Sequence, residues 1–266
     1  MSERPVELMK KSTLVLSVVL VVTAAVWFIA LPRLYVVPVL TYHMIGYPET
    51  ERMRANTVTP ESFKKQMAFI KKHGYRALSL DEYYEGLKAG KNFCCHSAVI
   101  TLDDGMLDNY TEAFPVLKEF GIPAAFFVPT AKIGMADQMT WDQLKEITAS
   151  RITVGSHTQN HLYLPDFPKE VQMREIVESK KAIESHLGMP AYYFAYPIGG
   201  FNEDVKKMAR AAGYRLAFTT NRGQDCYNHD LFELKRIRSK DTDNDLVMWL
   251  KLTGYYNLLR MPRKSF

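Results

Sequence analysis

The run Ala98-Val99-Ile100-Thr101-Leu102-Asp103-Asp104-Gly105 is apolar and β-branched until it stops at two adjacent carboxylates and a glycine. It reads as a buried strand that ends in acids, and acids at a strand's C-terminal end are where α/β folds keep their chemistry. Upstream, residues 76–80 read as a short strand and Asp81 as the cap of a helix ending near Gly90. Downstream, residues 109–120 read as helical, with Pro115 at a kink or restart, and residues 123–128 as a strand buried on both faces. Thr140 caps a further helix, and residues 152–155 are a second short strand, running into Ser156-His157-Thr158-Gln159-Asn160-His161. The spacing predicts a long helix over 168–186 closed by Gly188, strands over 191–196 and 216–219 and a helix over 202–212. It also predicts a strand over 234–238 and a helix over 243–252. At the front, residues 35–43 form a β-branched strand with His43 at its polar tip, and residues 48–56 a loop. Thr59-Pro60 then starts a helix as N-cap and N1, with Phe63, Met67 and Ile70 as its buried stripe. Strand and helix alternating about every 30 residues predict a parallel sheet and an α/β fold of six to eight units, a (β/α) barrel ahead of an open doubly wound sheet.

The 266 residues, 47% hydrophobic and 24% charged, suit one medium domain with a sizeable core. The net charge is +5, and +3 once residues 1–33 are set aside; no dense Lys/Arg run supports nucleic-acid binding. Residues 13–31 are 19 uncharged residues, long enough to span a bilayer as a helix. Arg4, Lys10 and Lys11 precede that stretch and Arg33 follows it, so the charge bias leaves the N-terminus in the cytoplasm and the remainder outside. Residues 1–33 are therefore expected to be a cytoplasmic tip and membrane anchor, and residues 34–266 an exported catalytic domain. Thr23-Ala24-Ala25 offers the rival, a cleaved signal peptide, but the apolar run continues through Val26, Trp27, Phe28 and Ile29, which suits a retained anchor. Cys94, Cys95 and Cys226 are too few for a disulfide framework. Unpaired thiols are expected, with one bridge to Cys226 as the alternative.

At successive strand ends of such a fold, Asp104, His157 and His161 form a plausible three-ligand set for a catalytic divalent metal. Asp103 is then free to accept a proton, and His43 has a suitable unperturbed pKa for protonating a leaving amine. Each residue also has a plainer reading. Two acids before a glycine are often a turn, HxxxH arises by chance, and a lone His at a strand end is usually just hydrogen-bonded. Their joint occurrence favours catalysis, and no GxGxxG after the first strand, P-loop or GxSxG competes with it.

Over residues 36–240 the chain resembles the polysaccharide deacetylase family, the NodB-homology group of carbohydrate esterase family 4. Thr101-Leu102-Asp103-Asp104-Gly105 is similar to its TFDDG motif, and Ser156-His157-Thr158 with His161 to its H(S/T)xxH motif. Asp108-Asn109-Tyr110 and Phe126-Phe127-Val128-Pro129 also resemble the family. The resemblance implies a distorted (β/α) barrel with fewer than eight regular units, Asp103 as general base, and Asp104, His157 and His161 on the metal. Where many members have an RPPY-type motif, this chain has Phe194-Ala195-Tyr196-Pro197-Ile198-Gly199, so the oxyanion donor would be the Ile198 backbone N–H. The motif's arginine is absent, and Arg236 in Lys235-Arg236-Ile237-Arg238 is the expected substitute for orienting the base. The opening Tyr-His strand and the FAYP sequence resemble the exported poly-N-acetylglucosamine deacetylase branch, which makes His43 the acid in place of a late LxH motif.

The expected activity is metal-dependent de-N-acetylation of N-acetylglucosamine in an exopolysaccharide or cell-wall glycan. An O-acetyl-xylan-type esterase with the same site and a non-catalytic glycan-binding member are the alternatives. Trp141, Tyr196 and Phe201 are candidate sugar-stacking walls, with core packing the plainer reading for Trp141. Zinc is the first expectation for the metal, with cobalt, nickel, manganese and iron also compatible with an Asp-His-His set. Expected partners are the acetylated polysaccharide, the membrane and a polysaccharide synthesis or export machine.

Overall fold

In a computed structural model of the protein, the continuous apolar strands stack side by side in one parallel sheet that is covered on both faces. The structure describes residues 14–23, 35–90, 93, 96–220 and 230–256. Its elements follow the chain as β1 (Val39–Tyr42), β2 (Met44–Ile45), α1 (Glu51–Arg54), β3 (Thr57–Val58), α2 (Pro60–Lys72), β4 (Arg76–Ala77), α3 (Leu80–Lys88) and β5 (Ser97–Leu102). They continue as α4 (Phe114–Phe120), β6 (Ala124–Val128), α5 (Trp141–Thr148), β7 (Ile152–Ser156), α6 (Lys169–Leu187) and β8 (Tyr193–Ala195). The last are α7 (Glu203–Ala211), β9 (Leu216–Phe218), β10 (Ile237–Arg238) and α8 (Asp245–Leu252).

The sheet order is β10-β1-β5-β6-β7-β8-β9, with β4 also pairing β5 and every pairing parallel. Its two ends meet. Beyond β9, Phe218 bridges Leu234, the Leu234 N–H donates to Ala217 and the Thr219 N–H to Leu234. Three residues later the same segment becomes β10 and pairs with β1, so residues 231–239 close the ring. The result is a barrel of seven parallel strands, the distorted barrel with fewer than eight units that the resemblance implies.

Alternation along each strand sorts side chains between two layers. Val39, Val99, Ala125, Phe127 and Phe218 belong to one cluster, and Leu40, Ile100, Leu102, Phe126 and Val128 to another, shared with Phe63, Met67 and Ile70 of α2. Met67 is fully buried, the core role its helical spacing assigns. A third cluster sets Ile176 of α6 and Val205 of α7 against Phe194, Tyr196 and Ala217.

Two local readings need correction. The cap of α3 is Ser79 rather than Asp81: Ser79 and Glu82 form a reciprocal capping box, while Asp81 accepts from the Tyr193 hydroxyl. The stretch read as a loop contains α1, and β2 and β3 on either side of it pair in parallel through Met44↔Thr57 and Ile45↔Val58. Two-residue strands carry too little alternation to be seen in a sequence. Around Pro115 the expected restart takes the form of a π-helical turn, Asn109–Ala113, feeding α4 with the proline in its first turn. Residues 14–23 are helical with exposed side chains, and among the described residues no helix is long and apolar enough to cross a membrane. The rest of the apolar stretch and all three cysteines lie outside the described residues.

Gly155 in β7 permits a close approach between neighbouring strands. A Cβ there would meet the Phe127 ring at 2.5 Å and the Tyr193 carbonyl oxygen at 2.9 Å. The backbone contact cannot be relieved by a rotamer change, so Gly155→Ala should destabilise the protein by about 1–3 kcal/mol, read as a lower urea midpoint at unchanged slope.

Candidate active site

The parallel register brings the functional residues to one end. Tyr42 pairs with Leu102 and Val128 with Ser156, so His43, Asp103 and His157 each step off a strand at its C-terminal edge. Asp103 is 1% exposed, its N–H donates to the Tyr42 carbonyl, and it shares a face with Thr101 two residues back. Arg236 reaches that face from the closing segment. Its Nη1 donates to Asp103 Oδ1 at 2.7 Å and Nη2 to Oδ2 at 2.6 Å, while Nη1 also bonds Thr101 Oγ1 and Nε the Thr219 carbonyl. Burial alone would raise the Asp103 pKa, but the guanidinium, with His157 and His43 adding to it, holds the carboxyl below its ordinary range.

Asp104 turns out of the strand with φ 73°, and Gly105 follows at φ 65°. Its Oδ1 lies 3.1 Å from His161 Nε2 and 3.6 Å from His157 Nε2. His157 is buried, and its Nδ1 sits 2.7 Å from the Ala195 carbonyl oxygen. A carbonyl can only accept, so Nδ1 carries the proton and Nε2 turns a lone pair toward Asp104. Burial pulls the His157 pKa down to about 4 against the pull of Asp103 and Asp104, leaving a neutral ring at neutral pH. Burial opposes ionisation of Asp104, yet the His161 and His157 imidazoles and His43 hold its pKa well below the carboxylate range.

The ligand atoms of Asp104, His157 and His161 all lie within 4.8 Å of one another. Asp104 Oδ1 is buried and has no hydrogen-bond partner, although two imidazole nitrogens face it. An ionised carboxylate facing the lone pair of a neutral imidazole is a donor set that fits a divalent cation, and the Ala195 carbonyl behind His157 supplies the outer support such a ligand usually has. Of the seven non-glycine residues with positive φ among those described, Asp104, Thr158, His161 and Ile198 fall here. Strained backbone of that kind persists only where surrounding contacts over-determine it.

The remaining expected residues separate. His43 is half-buried, its carbonyl held by Asn109 Nδ2 at 2.7 Å, and Asn109 in turn bonds Asp108. Burial lowers the His43 pKa; Asp103 and Asp104 pull it up, and Arg236 and Arg238 push it down. Ile198 is 63% exposed at φ 59° in the turn Pro197–Gly199, next to the His157 support at Ala195. Tyr196 is not a sugar wall: it is wholly buried, its hydroxyl donates to the Phe232 carbonyl and its ring packs on Phe194 and Phe201. Trp141 is half-buried against the core and stacks on His186 with centroids 4.1 Å apart. The Ala195 carbonyl escaped the sequence reading of the site, since a backbone acceptor leaves no compositional trace; Asn109, noted only for its resemblance to the family, is given its role by the contact with the His43 carbonyl.

Barrel and converging carboxylates and imidazoles together define an α/β hydrolytic centre at the strand C-termini. A sequence model described as polysaccharide deacetylase matches residues 90–217. YxkH of Bacillus subtilis, which bears the name of a polysaccharide deacetylase, is 32% identical over 201 residues, 76% of this chain and 70% of its own. The chain belongs to the polysaccharide deacetylase family. Poly-beta-1,6-N-acetyl-D-glucosamine N-deacetylase of Staphylococcus epidermidis is 27% identical over 202 residues, 71% of this chain and 70% of that one. Among solved structures, the Streptococcus pyogenes deacetylase PplD in complex with acetate superposes with a TM-score of 0.76 at 30% identity, covering 82% of this chain and 99% of PplD.

Replacing Arg236 by Met should reverse the sign of one pH dependence. With the guanidinium, Asp103 has a folded pKa below its unfolded value of about 4, so it adds stability above that pH and loses it as pH falls through the folded value. Without it, burial raises the folded pKa, and stability is lost as pH rises past about 4. Urea unfolding from pH 3 to pH 7 should therefore show a gap between the two proteins that widens with pH, toward about 3–5 kcal/mol.

Proposed function

We propose that the protein is a metal-dependent deacetylase that removes acetyl groups from N-acetylglucosamine in a polysaccharide, an exopolysaccharide ahead of a cell-wall glycan. The observation that carries the reading is a buried carboxylate, Asp103, clamped by Arg236 and adjoining the Asp104, His157 and His161 cluster. Family membership supplies the substrate class, and relatives such as the Staphylococcus epidermidis poly-beta-1,6-N-acetyl-D-glucosamine N-deacetylase favour the N-acetylglucosamine polymer.

Asp104, His157 and His161 would hold the ion, zinc first by donor type, and the ion supplies Lewis acidity that polarises a carbonyl and acidifies water. Asp103, kept ionised and fixed in orientation by Arg236, takes the proton from the attacking water. Its low pKa makes it a weak base, suited to water that is already acidified. The oxygen adds to the acetyl carbon, and the backbone N–H of Ile198, on an exposed strained turn, meets the developing oxyanion. His43 then protonates the leaving nitrogen. The lowering of its pKa makes its imidazolium the stronger acid. Water is consumed, the C–N bond breaks, and acetate and a free amine on the glycan are the products.

The uncharged stretch over 13–31 and the lysines and arginine before it support a membrane-anchored enzyme with its catalytic domain on the extracytoplasmic side. A polymer synthase or export machine is the natural neighbour for an enzyme placed there.

The test is acetate release by the full-length chain, in detergent, on poly-N-acetylglucosamine oligomers. Activity should vanish with chelator and fall about 10²–10⁴-fold in Asp103→Asn and in His43→Ala. Release from O-acetylated xylan alone would select the esterase, and a folded chain that binds the glycan without releasing acetate would select the binding protein. Full activity in His43→Ala would remove that residue from the acid's role.

A further inference from the structure

The loop that carries His161 is held from behind by α6, through a residue the reaction does not use. Glu175 is 1% exposed, and both its carboxylate oxygens go to one residue of the loop. Oε2 accepts from the Asn160 backbone N–H at 2.7 Å, and Oε1 from Asn160 Nδ2 at 2.5 Å. One turn along α6, the Ser179 hydroxyl donates to the Ile176 carbonyl and faces Ser156 Oγ at 2.7 Å, and Ser156 Oγ accepts from the Thr158 N–H. The helix therefore grips the loop at its start and again just before His161. Burying a carboxylate is strongly unfavourable unless donors compensate it, which makes Glu175 an improbable choice for simple packing.

The two histidines differ in how they are held. His157 extends β7, where its N–H bonds the Val128 carbonyl and its ring the Ala195 carbonyl. His161 lies beyond the strand at φ 63°, a conformation disfavoured for a side chain of its size. Its own N–H is taken by Thr158 Oγ1 at 3.0 Å, and the preceding N–H by Glu175. The residue between these two pinned amides is the one that aims His161 Nε2 at Asp104.

We propose that Glu175 is a positioning residue for His161, holding the Asn160–His161 backbone so that the imidazole completes the cluster with Asp104 and His157. The inference rests on the metal reading of that cluster. Loss of Glu175 releases His161 while leaving His157 on its strand, so the cluster should weaken by one ligand and the barrel remain.

Co(II) is the probe, titrated into the full-length chain against a competing chelator, with the thermal midpoint of the metal-free protein measured alongside. Glu175→Gln should weaken Co(II) binding about 10–100-fold and change the shape of the visible absorption band. Combining Glu175→Gln with Asn160→Asp exchanges amide and carboxylate. The new amide can then accept from the backbone N–H and donate to the new carboxylate, and most of the lost affinity should return. Wild-type affinity and band shape in Glu175→Gln, with only a lower thermal midpoint, would overturn the proposal and leave Glu175 a packing residue. Failure of the exchanged pair to recover affinity would overturn the hydrogen-bond account just as well. A folded wild-type chain that binds no Co(II) would overturn the metal reading and this inference together. Should Glu175→Gln not fold, Glu175→Asp, which keeps the charge and shortens the reach, takes its place with the same two outcomes.

Discussion

A guanidinium and a carboxylate sealed inside the barrel join what the chain order keeps far apart. Arg236 belongs to the segment that closes the ring, Asp103 to the end of β5, and the bidentate pair between them leaves Arg236 wholly buried. Its other donors reach Thr101 on β5 and the carbonyl of Thr219 just past β9, and the guanidinium lies over the rings of Phe127 and Phe218. The same side chain therefore satisfies the buried base, ties the last strands to the first and fills the interior. Neither charge would be tolerable there alone, because desolvation of an unpaired ion outweighs what packing can return. Closure of the barrel and ionisation of Asp103 are in this way one requirement.

From that fixed point the site extends outward in order of decreasing rigidity. Asp103 and His157 sit on or at once after hydrogen-bonded strands and are almost fully buried. Asp104 and His161 leave the strands through left-handed backbone and remain partly open, which a substrate must find if it is to reach them. Ile198 is the most exposed of the set, on a turn anchored where the Thr220 hydroxyl donates to its carbonyl. Strain in the histidine loop is held by neighbours that take no part in chemistry, among them Thr158 and the α6 residues behind it.

Much of this was legible from residue order. The buried strands announced themselves by unbroken apolar runs, the helices by their caps and 3.6-residue stripes, and the acids and histidines by their position at strand ends. What failed to show was short or made of backbone. β2 and β3 are two residues each, and Ser79 outcompetes Asp81 as a cap because only Ser79 has Glu82 three residues on to complete the reciprocal bond. Tyr196 looked available for substrate because it follows a strand end, yet its ring turns inward where Phe194 and Phe201 exclude water.

The sequence by itself determined the parallel α/β class, the roster of ionisable residues and their grouping at strand termini, because side-chain period and strand polarity are local properties. Only the tertiary structure decided that Arg236, expected from the resemblance to orient the base, does so through both oxygens of Asp103, that Ala195 fixes the tautomer of His157, and that α6 reaches the loop before His161. Those contacts depend on ring closure and on which way each side chain faces across the barrel. Such distances in space are set by the assembled sheet and leave no periodicity in the chain.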